Sequence, residues 1–162
     1  MHDLSLKKVS ISDFEIWKDV CGNIKLDEYD VIFHRILNQE KKDQAYSFWL
    51  WDKNQNIELA FVQVFNVLRF PSLSGCIEIS VSEKYRNQGY GKIAIKLLED
   101  FVFNELKLLK LIAPIVPENQ NSIKLFTSLN FFKVHDDPYA FFIKRKPVMH
   151  SIYIKLSPNS ST

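Results

Sequence analysis

Between Ile77 and Lys92 a β-branched run, Ile77-Glu78-Ile79-Ser80-Val81, passes through a polar turn into Gly89-Tyr90-Gly91-Lys92 at the start of a helical pattern. A strand that feeds a helix through a tight turn points to an α/β arrangement, because the helix must pack back on a sheet. Two of the chain's 4 glycines stand in this one turn. Lacking side chains, they let backbone approach a ligand closely, and a helix start leaves amide N–H groups unpaired. Those amides, with the helix dipole, suit a pyrophosphate, and Arg86 and Lys92 add positive charge beside them. An incidental glycine turn is the plain alternative.

The rest of the chain can be placed around this unit. Leu4 to Val9 reads as a strand, and Ser12 or Asp13 can cap a helix toward Val20 that Cys21-Gly22-Asn23 ends. From about Asp27 to Gln39 apolar residues recur at helical spacing, and Glu40-Lys41-Lys42-Asp43 is a solvated turn. Ala45 to Trp51 and Ile57 to Leu68 are aromatic and β-branched around a polar turn, most simply an antiparallel pair. Cys76 to Val81 is the next strand. The helix from about Gly89 to Lys107 carries Tyr90, Ala94, Leu97, Leu98 and Phe101 on one face and Lys92, Lys96, Glu99 and Lys107 on the other. Leu108 to Val116 reads as a buried strand and 118–129 as a helix, with Asn130 where a left-handed residue is needed. Phe131 to His135, Tyr139 to Lys144 and His150 to Leu156 are the closing strands. This order indicates an α/β fold with a mixed sheet.

Composition narrows the function classes. The chain has 162 residues and a mass of 19.0 kDa, the size of one domain, expected over 1–156 with 157–162 as a flexible tail. With 46% hydrophobic and 25% charged residues it is neither disordered nor collagen-like. Its 21 basic and 19 acidic residues leave +2, too little to argue for nucleic acid, whose binders usually show a concentrated basic face, so no nucleic-acid partner is expected. The richest apolar stretch, Leu108 to Val116, is short and broken by Lys110 and Pro114, so no membrane partner is expected either. Met1 to Lys8 lacks the order of a secretory signal, and Cys21 and Cys76 lack metal spacing. They read as reduced thiols, which sets the expectation of a cytoplasmic protein without a metal.

Neither common nucleotide motif fits the glycine turn. The dinucleotide fingerprint needs Gly-x-Gly-x-x-Gly and an acidic residue after the next strand, whereas here the glycine order is reversed and that strand ends in Val116-Pro117. A Walker loop needs an earlier glycine and a hydroxyl after its lysine, and Gly91-Lys92-Ile93 has neither. Val81-x-x-x-x-Arg86-x-x-Gly89-x-Gly91 instead resembles the acetyl-CoA signature of the GNAT superfamily of N-acetyltransferases. Pro117-Glu118-Asn119-Gln120-Asn121-Ser122-Ile123 resembles that family's second signature, and Leu129-Asn130-Phe131 stands where Leu-Gly-Phe is common. The likeness covers roughly Ile57 to Leu156 and is similar to the RimJ/RimL-type branch.

The resemblance implies a mixed, mostly antiparallel sheet flanked by helices, with a splayed parallel pair of strands forming an acetyl-CoA cleft. It implies a cofactor site of Ile79, Ser80, Val81, Arg86, Asn87, Gln88, Gly89, Tyr90, Gly91, Lys92, Asn119, Ser122 and Phe126. In it the amides of Gln88 to Lys92 would hold the pyrophosphate and Asn119 the pantetheine arm. The acceptor amine would attack the thioester directly. Glu78, on the cofactor strand and with Ser80 opposite Ile77 and Ile79, would take the amine proton; a solvated or salt-bridged strand Glu is the alternative. Many relatives carry a Tyr where Phe126 stands, and Phe126 has no proton to give, so Ser122 would protonate the thiolate; otherwise it is a polar residue of the first helical turn.

The implied reaction is transfer of an acetyl group from acetyl-CoA to a primary amine. A protein N-terminal α-amine leads among acceptors, followed by a small-molecule amine such as a polyamine, amino sugar or amino acid. A polyamine site should need several carboxylates, and Asp27, Glu28 and Asp30 are offset by Arg35, Lys41 and Lys42. The missing Tyr at Phe126 keeps open a non-catalytic acyl-CoA-binding module, and the balanced charge argues against an aminoacyl-tRNA acceptor. Trp49 or Tyr139 could line an amine pocket through cation–π contact, and His150 could face the acceptor. Monomer and homodimer both remain open.

Overall fold

The computed structural model describes residues 3–22, 29–143 and 145–160. Among these, the strands are β1 Leu4–Lys8, β2 Ala45–Asp52, β3 Ile57–Leu68, β4 Ser74–Val81, β5 Lys110–Ile115, β6 Phe132–Ile143 and β7 Lys146–Leu156. The helices are α1 Phe14–Cys21, α2 Tyr29–Glu40, α3 Tyr90–Asp100 and α4 Gln120–Ser128. One sheet takes all seven strands in the order β1-β2-β3-β4-β5-β7-β6. Every neighbouring pair is antiparallel except β4 with β5. This is the mixed, mostly antiparallel sheet flanked by helices that the resemblance implies.

Helices cover both faces, which is why β3 reads as a nearly unbroken apolar run. Its Ala60, Val62 and Val64 join Ala94, Ile95 and Leu98 of α3 in one core. Phe61, pointing the other way, packs with Trp17, Phe33 and Trp49 beneath α1 and α2. Strand alternation thus sorts one segment into two cores.

The parallel pair opens. β4 and β5 are in register only at Ser74–Lys110, Gly75–Leu111 and Cys76–Ile112. Beyond Cys76, β4 stays with β3 as far as Val81, and β5 stays with β7 as far as Ile115. The two strands therefore part with Ile77–Val81 on one side of the gap and Ala113–Ile115 on the other. Gly75 marks the tight end, since a Cβ there would stand 2.5 Å from Val64 Cγ2.

Several expectations are corrected. Helical periodicity places Glu99 on the solvent face of α3, yet it is only 8% exposed, and its Oε2 accepts from Lys155 Nζ at 2.7 Å. Its partner lies on β7, invisible to a pattern read along one helix. The helix expected to reach Lys107 leaves α-geometry after Asp100 for a π-helical turn over Phe101–Glu105, and Lys107 takes a left-handed φ of 58°. Asp13 does not cap α1 through its side chain; its carboxylate accepts instead from the Ser10 amide and Trp49 Nε1. The segments Phe131–His135 and Tyr139–Lys144 are not two strands. β6 runs through Asp137 and Pro138 with register shifts, which an edge strand tolerates because it need not donate on its free side. Ser157, assigned to the flexible tail, is buried, and its amide donates to Leu109 O. Asn23, the expected start of α2 at Asp27, Lys144 and residues 161–162 lie outside the described residues. Asn130 has the expected left-handed φ, 66°.

Candidate functional site

The turn from β4 to α3 builds the first wall. After a 3-10 turn over Glu83–Tyr85 the chain extends through Arg86, takes left-handed φ at Asn87 (61°) and Gly89 (85°), and enters α3. The amides of Asn87, Gln88 and Gly89 make no hydrogen bond to protein among the described residues. The Lys92 amide, expected to be free, donates to Gly89 O at 3.1 Å, so only the Lys92 side chain remains for a ligand. Gly91 allows α3 to sit close: a Cβ there would be 3.2 Å from Leu125 Cδ2 and 3.5 Å from Val81 Cγ2.

A cavity of about 520 Å³ lies against this turn, lined by Ile79, Ser80, Val81, Arg86, Asn87, Gly89, Tyr90, Gly91, Lys92, Asn119 and Ser122. Gln88 is not on its wall; its Nε2 folds back onto Lys84 O at 3.2 Å. Sequence reasoning missed Val20, Cys21, Tyr85, Asn121 and Leu125, which also line it. Tyr85 and Leu125 sit beside the motifs and were within reach of a local reading, whereas Val20 and Cys21 arrive from α1.

Asn119 is the N-cap of α4, its Oδ1 accepting from the Ser122 amide at 3.1 Å. With the oxygen so used, the Nδ2 donor is the end left for a ligand. Ser122 contributes only its amide to that cap, and its hydroxyl makes no hydrogen bond among the described residues.

A second cavity, about 400 Å³, shares Ile79, Asn119 and Ser122 with the first and extends through the splay to Phe65, Glu78, Phe126, Phe141, Phe142 and His150. Phe126 packs edge-on to Phe131 with ring centroids 5.0 Å apart. His150 lies against Phe141 at 4.8 Å with Nδ1 3.0 Å from Val148 O. Phe65, Phe141 and Phe142 carry no motif, and only the strand pairing brings them here. Trp49 does not line an amine pocket: it is fully buried with its Nε1 on Asp13. Tyr139 is exposed and outside both cavities.

Glu78 is the one carboxylate on either cavity wall among the described residues. Burial pushes its carboxyl above the ordinary carboxylate range, and Gln63 Nε2, donating to Oε2 at 2.6 Å, pulls partly the other way. Burial, and next the charge of Glu78, push the Cys21 thiol up to about 12 despite a hydrogen bond with Ser80, which works against a thiolate there. Burial likewise lifts Cys76 to about 11. Both cysteines are free. No helix among the described residues is long and apolar enough to cross a membrane.

The sheet thus splays at its one parallel pair beside a glycine turn that presents amides free of protein partners among the described residues. Residues 5–131 match the acetyltransferase (GNAT) domain, and the chain belongs to that family, whose acyl donor is acetyl-CoA. The probable N-acetyltransferase YjcK of Bacillus subtilis (strain 168) is similar, 25% identical over 93 residues. That match covers 57% of this chain and 51% of YjcK, about half its length. Among solved structures, ribosomal-protein-S5-alanine acetyltransferase from Vibrio fischeri superposes with a TM-score of 0.82 at 18% identity, covering 100% of this chain and 97% of the other. Spermidine N-acetyltransferase from Vibrio cholerae, in complex with CoA and spermine, also gives 0.82, at 16% identity and covering 95% of each chain. At such identities these likenesses show the fold alone.

Proposed function

We propose that this chain transfers the acetyl group of acetyl-CoA to a primary amine carrying one positive charge, foremost the α-amine of a polypeptide N-terminus. The observation that carries the reading is the joined pair of cavities, one with free amides and basic side chains, the other with a single half-buried carboxylate among the described residues.

The amides of Asn87 to Gly89, with Arg86 and Lys92, suit the diphosphate of the donor, and Asn119 Nδ2 suits a carbonyl of its pantetheine arm. The edge of β4 freed by the splay offers main-chain groups to the same arm. These are the fixed contacts that hold the thioester carbonyl against an incoming nitrogen. Glu78 takes a proton from the ammonium and passes it to solvent, and the neutral amine attacks that carbon. The C–S bond breaks, and Ser122 Oγ delivers a proton to the departing thiolate and is reprotonated by the one the new amide nitrogen sheds.

The amine's own acidity favours an α-amino acceptor. A lysine-like amine near pKa 10.4 is neutral in roughly one molecule per few thousand at pH 7, costing about 4–5 kcal/mol, whereas an α-amine near 7.7–8.0 costs about 1–1.5 kcal/mol. One carboxylate raised toward neutrality suits the second task. A polyamine would need more negative charge than Glu78 supplies, and Asp27 and Glu28 lie outside the described residues.

The test is thiol release from acetyl-CoA with N-terminal peptides, spermidine and amino sugars as acceptors. Turnover fastest with peptides supports the reading, and turnover fastest with spermidine overturns the acceptor. Tight CoA binding with no transfer to any acceptor favours a non-catalytic module.

A further inference from the structure

Ser47, Gln63 and Glu78 stand side by side across three strands, because Ser47 pairs with Gln63 between β2 and β3 and Gln63 with Glu78 between β3 and β4. Directly opposed residues point to the same face of a sheet. Ser47 is fully buried and Gln63 is 5% exposed, so the row has little water to bond to. Ser47 Oγ donates to Gln63 Oε1 at 3.2 Å, and Gln63 Nε2 donates to Glu78 Oε2 at 2.6 Å. The hydroxyl thereby fixes which end of the amide faces the carboxylate. Glu78 Oε1 makes no hydrogen bond among the described residues, and the side chain lines the cavity at the splay.

We propose that Gln63, oriented by Ser47, is the positioning residue that holds Glu78 by one oxygen and presents the other to the acceptor amine. The inference rests on Glu78 acting as the base. Without this donor the half-buried Glu78 carboxylate would lose both its fixed rotamer and part of what keeps it charged.

The other groups facing Glu78 do not replace the donor. Cys21 from α1 is a neutral thiol and His150 from β7 lines the same cavity. Its walls from β5 and α4, namely Ala113–Val116, Asn119, Ser122 and Phe126, carry no titratable group.

The experiment compares pH profiles of kcat/KM for the acceptor in wild type, Gln63→Met, Ser47→Ala, Glu78→Gln and the Gln63→Met/Glu78→Gln pair. Gln63→Met should lower kcat about 10- to 100-fold, leave the KM for acetyl-CoA unchanged, and move the acid limb to higher pH. Ser47→Ala should move the limb the same way by less, and its small volume change keeps the test open if Gln63→Met does not fold. In the Glu78→Gln background the limb should be absent and Gln63→Met should cost nothing further. A limb unmoved in Ser47→Ala and in folded Gln63→Met, with Glu78→Gln inactive, overturns the role of Gln63 and leaves the base in place. Full activity in Glu78→Gln overturns the base itself.

Discussion

Glu78 is half-buried, and the burial it has disfavours its charged form. Its folded pKa lies above the unfolded value, so its contribution to stability is full below the unfolded pKa and is lost as pH rises through the folded one. Glu78→Gln should therefore melt higher than wild type at pH 8, with the gap closing as the pH falls toward 4, while kcat drops about 10²- to 10⁴-fold. Thermal melts at both pH values, alongside steady-state kinetics, check the two halves together. A lower melting point at pH 8 would mean that the charge is paid for by contacts other than Gln63. Ser122 separates function from structure in another way, since its amide and not its hydroxyl serves the α4 cap. Ser122→Ala is expected to leave the melting temperature unchanged and to lower kcat about 100-fold. The place of Glu78 and Ser122 on a cavity wall is legible in the chain because each sits in or beside a local motif. Gln63 is not, because its meaning comes from two strands that flank it in space.

The β4–α3 turn and the start of α4 are elements whose shape can be perturbed without touching chemistry. Gly89 has φ of 85° and open space around its missing side chain, so Gly89→Ala meets no clash and only backbone strain, about 1–2 kcal/mol. That strain tilts the neighbouring amides, and the KM for acetyl-CoA should rise about 10-fold or more with kcat at saturation little changed. Asn119 can be split likewise. Asn119→Asp keeps the cap and Asn119→Ala removes it, at about 1 kcal/mol. Both lose Nδ2, so both should raise the KM for acetyl-CoA while only Asn119→Ala lowers the melting temperature. Elements set by local chemistry were readable from sequence: the antiparallel β2–β3 pair, the glycine turn, and Asn130 closing α4. Elements set by distant partners were not. Glu99 looks like a surface residue until Lys155 arrives from β7, and Asp137-Pro138 looks like a turn until β6 is seen to be an edge.

At the scale of the whole molecule, the sheet order brings the two cavities together, and with them the two ends of the proposed reaction. β4 and β5 part, the gap joins a cavity fed by α3 and α4 to one walled by β3, β6 and β7, and segments far apart in the chain meet at Ile79, Asn119 and Ser122. The proposed donor side was legible because a diphosphate site can be written into one strand–turn–helix. The acceptor side was not, because Phe65, Phe141, Phe142 and His150 share no segment and no motif. The proposed donor site depends on free main-chain amides after β4 gripping a diphosphate. Calorimetric titration with CoA and with pantetheine, which has the arm but no diphosphate, tests this most directly. CoA should bind at least about 100-fold more tightly, a difference of about 2.7 kcal/mol, and Gly89→Ala should narrow the gap. Equal affinity for the two, or no binding of CoA, would contradict it.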